Sequence, residues 1–373
     1  MVATYRFRVL DVAVALCGPD EVLRPIVRAY GRFRVSEANG SPPSHRIRLE
    51  GLEADSFLDG GETVPRIRGA SLTLQLYERF LNAIFDRVSS HAVLHAGALV
   101  DGRGRALLIS GPSGFGKTSL TLELLGRGLR FLSDDYAPLE LASGRIQPYP
   151  RTIGLLPDGA IRAPERFAEA AADPALPRLL GKALIDVGEV LGEQAIAGEP
   201  APVGDVVVLD ASGPARDDRR SIVQFGVWPR GVADCAREIA GIPGVVVLGR
   251  HDRADITVWQ VALDESKLPT PRFSQLLERD FIAYSEVRPS VTPDFAAPPR
   301  LAPLTRREAA LSLCREIQNR RPRGRLMQSY GGDTTALFLD VAERLAPARC
   351  HRLEVGALRP TADLIERLAR GTG

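Results

Sequence analysis

The sequence predicts an α/β fold, a phosphate-loop nucleotide-binding domain with a small N-terminal α+β subdomain. Three observations carry this. Residues 111–118 read Gly-Pro-Ser-Gly-Phe-Gly-Lys-Thr and fit G-x-x-x-x-G-K-[ST]. An apolar run at 106–109 has strand length and precedes the loop, and the SLTLELLG stretch at 119–126 reads as a helix after it. A second short strand at 129–132 ends at Ser133-Asp134-Asp135. In an open α/β sheet, ligands gather at such strand ends.

The chain has 373 residues, of which 45% are hydrophobic and 25% charged, so it can build a core of ordinary size. A formal net charge of +2 argues against a nucleic-acid surface spread over the chain. No signal peptide is expected, and no apolar run reaches the ~18 residues that a membrane span needs. Cys17, Cys235, Cys314 and Cys350 have neither zinc spacing nor disulfide density. A cytoplasmic protein is expected, without nucleic-acid or membrane partners. Only Lys117, Lys182 and Lys267 are lysines. The arginine excess is that of a GC-rich bacterial genome, and a lysine kept in the loop stands out against it.

Residues 1–65 read as the N-terminal unit. It has one or two strands over 5–17, a helix over 19–33 with Asp20 and Glu21 in its first turn, a loop at 38–43 and a strand at 45–52. The remainder, 66–373, reads as the nucleotide domain. It opens with an apolar helix at 72–88, a strand at 92–100 and a hairpin turn at 101–105. The loop follows. Its glycines let backbone N–H groups converge on a phosphate, and the helix N-terminus adds partial positive charge. Gly111, Pro112, Ser113, Gly114, Phe115, Gly116, Lys117, Thr118 and Ser119 are therefore candidate nucleotide contacts. Lys117 can reach the β- and γ-phosphates, and Thr118 can ligate Mg²⁺. Of the two aspartates, one can hold Mg²⁺ and the other can accept the proton of an attacking hydroxyl.

Downstream, two prolines stiffen the stretch before Arg151, which is either a phosphate contact or a solvated arginine. Lys182 is a candidate second phosphate or substrate contact. The VGDVVVLD run at 203–210 reads as a buried structural strand, and Asp217, Asp218, Arg219 and Arg220 as a charged turn. A helix at 231–242 and strands at 244–248 and 256–263 follow. Residues 264–303, rich in proline, read as a loop or lid insertion. Thr305 and Glu308 form a capping-box pattern, the basic run at 319–325 reads as a solvated loop, and helices at 334–345 and 360–370 flank a strand at 350–355.

The span from His95 to Arg151 resembles the HPr kinase/phosphorylase family. A Leu94-His95-Ala96-Gly97 strand, the GPSGFGKT loop, a helix, Arg127-Gly128 and a short strand come in that order. Asp134-Asp135 then lies sixteen residues after Thr118. The resemblance implies the fold of the HPr kinase and phosphoenolpyruvate carboxykinase-like nucleotide domain. It also implies a kinase that uses ATP and Mg²⁺ to phosphorylate a hydroxyl, usually serine, on a peptide or protein. By the same resemblance Asp134 would be the base, Asp135 a metal-site acid with Thr118, and His95 a neighbour of the acids and phosphates. Arg151-Thr152 matches the family's downstream arginine-glycine signature poorly, so a substrate other than HPr is expected; a precursor of a modified peptide is the first choice. The rivals are a kinase for a small-molecule hydroxyl and a slow regulatory ATPase. Homo-oligomerisation is left open.

Overall fold

The computed structural model describes residues 2–36, 42–67, 71–156, 163–211, 220–252, 256–264, 270–277, 279, 281–288 and 293–371. The loop expected at 38–43 falls mostly outside these residues, as does the charged turn at 217–220, whose last residue, Arg220, opens a strand. The chain is mixed α/β. Among the described residues, no helix is long and apolar enough to cross a membrane.

The central sheet has nine strands. Its heart is Ala106–Ser110, parallel to Ala201–Ala211, which in turn is parallel to Arg349–Val355. On the other side of Ala106–Ser110 lie Ala96–Val100 and then Arg130–Ser133. Ala106–Ser110 is buried along its whole length, as a strand covered on both faces must be. Alternate residues face opposite layers. Leu107 and Ile109 pack with the loop helix Lys117–Gly126 and the last helix Leu358–Arg370. Ala106 and Leu108 pack with the helices Arg306–Arg315 and Thr334–Arg344. The capping box on the first of these is formed by Thr305 and Glu308. Asp205, 2% exposed, accepts from Arg349 Nε and Nη2 at 2.9 Å each and ties the last strand to its neighbour.

The N-terminal residues make a five-stranded sheet from Val2–Val9 to Glu62–Pro65. Helices Asp20–Ala29 and Leu72–Phe85 share one core with it. Phe80 is fully buried there, edge-on to Phe7 and Tyr30 with ring centroids 5.1 and 4.9 Å away.

Two expectations change. The strand at 92–100 is two strands, His91–Leu94 and Ala96–Val100, that join different parts of the sheet. The break falls at His95, where a segment from far along the chain bonds to the backbone. His95 N–H donates to Glu316 O at 2.9 Å and Gln318 N–H to Val93 O at 2.8 Å. The region 264–303 is not only loop. It contains the helix Thr270–Leu277 and the strands Ile282–Arg288 and Arg300–Pro303. With Arg220–Val227, Val232–Ala240, Val245–Asp252 and Thr257–Asp264, the first two complete a β-α-β-β-α-β unit with one four-stranded antiparallel sheet. Proline hid this helix from a sequence reading, yet Pro271 stands in the first turn, where the missing N–H costs nothing.

Candidate nucleotide and phosphoryl-transfer site

The loop leaves the C-terminal end of Ala106–Ser110, and three of its glycines have positive φ: Gly111 at 152°, Gly114 at 84° and Gly116 at 85°. Gly111 also lies against the neighbouring strand, because a Cβ there would stand 2.7 Å from Leu209 Cβ. Gly111→Ala should therefore destabilise the fold by roughly 1–3 kcal/mol, as overpacking does. A urea midpoint equal to wild type would contradict this tight fit. Lys117 is 6% exposed and folds back over the loop, donating from Nζ to Gly111 O at 2.5 Å and to Pro112 O at 3.2 Å.

The two aspartates point to different places. Asp135 has φ 65°, a conformation that aspartate tolerates better than most residues, and it sends adjacent carboxylates apart. Asp134 turns under the loop. It is 1% exposed and accepts from Thr118 Oγ1 at 3.2 Å. Asp135 lines the cavity in front of the loop and accepts from Arg151 Nη2 at 2.6 Å. Thr118, expected to share a metal with Asp135, hydrogen-bonds to Asp134. Arg151, read as a phosphate contact or a solvated arginine, is buried and paired: besides Asp135, it donates to Tyr77 Oη at 3.2 Å and stacks 4.6 Å over Tyr136. Tyr77 lies on the helix Leu72–Phe85, so the N-terminal core reaches the acidic pair through one arginine.

Environment separates the two carboxyls. Burial, then the neighbouring Asp135 charge, raises Asp134 to about 7. Burial would raise Asp135 too, but Arg151, then Lys182, His95 and Lys117, hold it down to about 2. A carboxyl with a raised folded-state value stabilises the fold fully below its unfolded value of 3.8 and loses that contribution as pH rises through about 7. Glu78, raised to about 7 by burial, acts with the same sign. The comparison of wild type with Asp134→Asn isolates Asp134. Without Mg²⁺, raising the pH from about 5 to 8 should destabilise wild type more than Asp134→Asn. Parallel melting curves across that range would refute the buried protonated carboxyl.

His95 stands at the strand break with Nε2 3.8 Å from Asp135 Oδ1 and Nδ1 3.2 Å from Glu316 Oε2. The Glu316 carboxyl is held below its ordinary value by the hydrogen bond with His95. Asn319, fully buried, pins this segment: its Oδ1 accepts from Val93 N–H, and its Nδ2 donates to Val88 O and His91 O.

One cavity of about 590 Å³ takes in residues 113–120, His95, Asp135 and Lys182. This is the usual size for a small-molecule site. Of the candidate contacts, Ser113, Gly114, Phe115, Gly116, Lys117, Thr118 and Ser119 line it; Gly111 and Pro112 instead supply carbonyls to Lys117. Asp134 and Arg151 are not among its lining residues. Sequence reading missed Glu316, Tyr77, Phe295 and Thr361, whose partners are far along the chain and leave no local signature. The donors suit a Mg·nucleotide. Positive-φ glycines turn the loop backbone around an anion, and Thr118 with Asp134 offers the hard oxygens that magnesium takes in small number beside phosphates.

No family model matches the chain. It is similar to HPr kinase/phosphorylase of Clostridium botulinum (strain Eklund 17B / Type B), 37% identical over 92 residues that cover 24% of this chain and 30% of the relative. The same-named protein of Clostridium acetobutylicum is 29% identical over 120 residues, 31% of this chain and 36% of the relative. That of Bacillus mycoides is 40% identical over 72 residues, 19% and 23%. The chain thus spans about a third of the length of the curated relatives it matches. Among solved structures, the HPr(Ser) kinase/phosphatase from Coxiella burnetii aligns over 34% of this chain and 71% of its own, with 22% identity and a TM-score of 0.23. Over the matched stretch, the chain is a divergent relative of the HPr kinase/phosphorylases.

Proposed function

We propose that the chain is a Mg·ATP-dependent kinase that transfers the γ-phosphoryl group to a hydroxyl, in first choice a serine of a peptide or protein, on a nucleotide domain of the HPr kinase and carboxykinase-like type. The observation that carries this reading is the joining of the phosphate loop to the acidic pair through the Thr118–Asp134 hydrogen bond, with Asp135 and His95 facing the same cavity. Phosphoryl transfer asks for positioning and charge neutralisation more than for covalent chemistry. The loop N–H groups and Lys117 hold and neutralise phosphate oxygens. Thr118 and Asp134 would hold Mg²⁺, reversing the role that family resemblance gives Asp134. Mg·ATP supplies the transferable phosphoryl group and a cation that offsets its charge. Asp135 is kept ionised by Arg151 and faces the cavity, so it can accept a hydrogen bond from an incoming hydroxyl and orient it. His95, held by Glu316, stands beside it.

A nucleotide would occupy much of a cavity of this size, so the acceptor approaches at its mouth, beside Asp135. That favours a hydroxyl on a peptide or protein over an enclosed metabolite. The test is γ-labelled ATP with Mg²⁺, the purified chain, and a lysate of its source or peptides encoded beside its gene. A labelled macromolecule that vanishes with Asp135→Asn is the expected result. Label in a small metabolite would move the acceptor class, and label released only as phosphate would replace transfer with slow hydrolysis.

A further inference from the structure

The basic run at 319–325 is held more firmly than a solvated loop needs. Asn319 is fully buried and ties its start to the strand His91–Leu94. Leu326 and Met327, in the short helix Arg325–Ser329, anchor its end in the core. Between them, Gly324 N–H donates to Arg321 O at 2.9 Å and closes a turn, and Arg325 N–H donates to Asp86 O at 2.8 Å. The side chains therefore project from a fixed backbone.

Those side chains carry charge with little to offset it. Arg321 pairs with Asp86 at 3.2 Å. Arg320, Arg323 and Arg325 are exposed and make no ion pair among the described residues. Arg87 stands beside them: burial lowers its guanidinium from the ordinary value, and the Arg325 charge adds to this. Elsewhere the chain matches arginines with acids, Arg32 with Asp186, Arg127 with Glu123 and Arg349 with Asp205. Like charges held together repel, and an anionic partner relieves the repulsion.

The position of the turn indicates which partner. The segment that leads to it runs antiparallel to His91–Leu94, with a bridge between Leu94 and Ile317. Its cavity end is Glu316, on His95, and its other end is the turn. The steps from His95 back to His91 span about 13 Å at the rise of a strand. An extended polypeptide with its hydroxyl at Asp135 covers that distance in about four residues.

We propose that the turn at 320–325 docks an acidic segment of the acceptor polypeptide, about four or more residues from the hydroxyl that is phosphorylated. The inference rests on the kinase reading and adds the class of its substrate, a hydroxyl flanked at a distance by carboxylates. A nucleic acid is disfavoured, because the run has no aromatic side chain on which a base could stack.

The test uses a fluorescent hexaglutamate peptide, its hexaglutamine counterpart and a hexathymidylate, read by anisotropy on the full chain at about 50 mM salt. The triple variant Arg320→Ser, Arg323→Ser, Arg325→Ser removes charge outside the phosphate-loop site. A control triple, Arg46→Ser, Arg130→Ser, Arg166→Ser, lowers the net charge equally at exposed arginines elsewhere. Wild type and the control should bind hexaglutamate at least about tenfold more tightly than the first triple does. Calorimetry with Mg·ATP should give one affinity for all three proteins. Equal weakening in the two triples, or hexaglutamate bound no better than hexaglutamine, overturns the proposal. Tighter binding of hexathymidylate than of hexaglutamate overturns it in favour of a nucleic-acid surface. Hexaglutamate should also compete with the macromolecule in labelled transfer, and transfer left untouched at limiting acceptor overturns docking of the acceptor there. Wild type that binds hexaglutamate but not Mg·ATP overturns the kinase reading itself, a result distinct from all of these.

Discussion

Lys117→Ala should lower phosphoryl transfer by about a thousandfold or more and weaken ATP binding at least tenfold, with little change in the melting curve. Lys117 is buried against the loop and donates to the carbonyls of Gly111 and Pro112. Those oxygens are weak partners for an ammonium. Phosphate oxygens are strong ones, so a small swing of Nζ exchanges a contact with neutral carbonyls for one with an anion. Lys117→Arg should not restore activity, because a planar guanidinium does not replace a compact ammonium in a buried site. Calorimetry with Mg·ATP and labelled transfer, run on both variants, check this. ATP affinity equal to wild type in Lys117→Ala would remove the loop from its assigned task.

What could be read from the sequence was what lies close along the chain. The loop, its strand and helix, and Asp134-Asp135 fall within a short stretch, and each has a local reason: glycine for positive φ, lysine for phosphate, acids at a strand end. The pairing inside the site was not legible, because it depends on the turn at Asp135, whose φ of 65° sends one carboxylate under the loop and the other forward. Arg151 shows the same limit. Its charge left a phosphate contact and a solvated position both open, and its partners Asp135 and Tyr77, the latter 74 residues away, could not be read from the chain. Glu316 is 221 residues from His95 and meets it only because Asn319 fastens its segment to the edge of His91–Leu94. Thr361 looked like any threonine near a helix start until burial left its hydroxyl unpartnered. In the 264–303 region the error ran the other way, since proline content suggested loop where two elements of a β-α-β-β-α-β unit form.

The acidic pair gives the second large effect. Asp135→Asn should keep Mg·ATP binding within a few-fold of wild type and lose transfer by about 10²–10⁴-fold, the range for removing a positioned base or orienting group. Asp134→Asn should instead raise the Mg²⁺ concentration needed for ATP binding, by tenfold or more, because it removes the carboxyl that would give up its proton and hold the ion beside Thr118. The two variants therefore separate in one experiment: magnesium titrations of ATP binding beside labelled transfer. If Asp135→Asn shifts the magnesium requirement and Asp134→Asn does not, the roles revert to those implied by family resemblance. Stability needs its own control. Arg151 is buried beside Asp135, and removing one member of such a pair leaves a charge uncompensated at a cost of about 3–5 kcal/mol. The double variant Asp135→Asn with Arg151→Gln removes that charge. If it melts close to wild type and still fails to transfer, the loss belongs to the carboxylate and not to an unfolded chain. If it regains transfer, Asp135 serves only to neutralise Arg151, and the hydroxyl is oriented by another group.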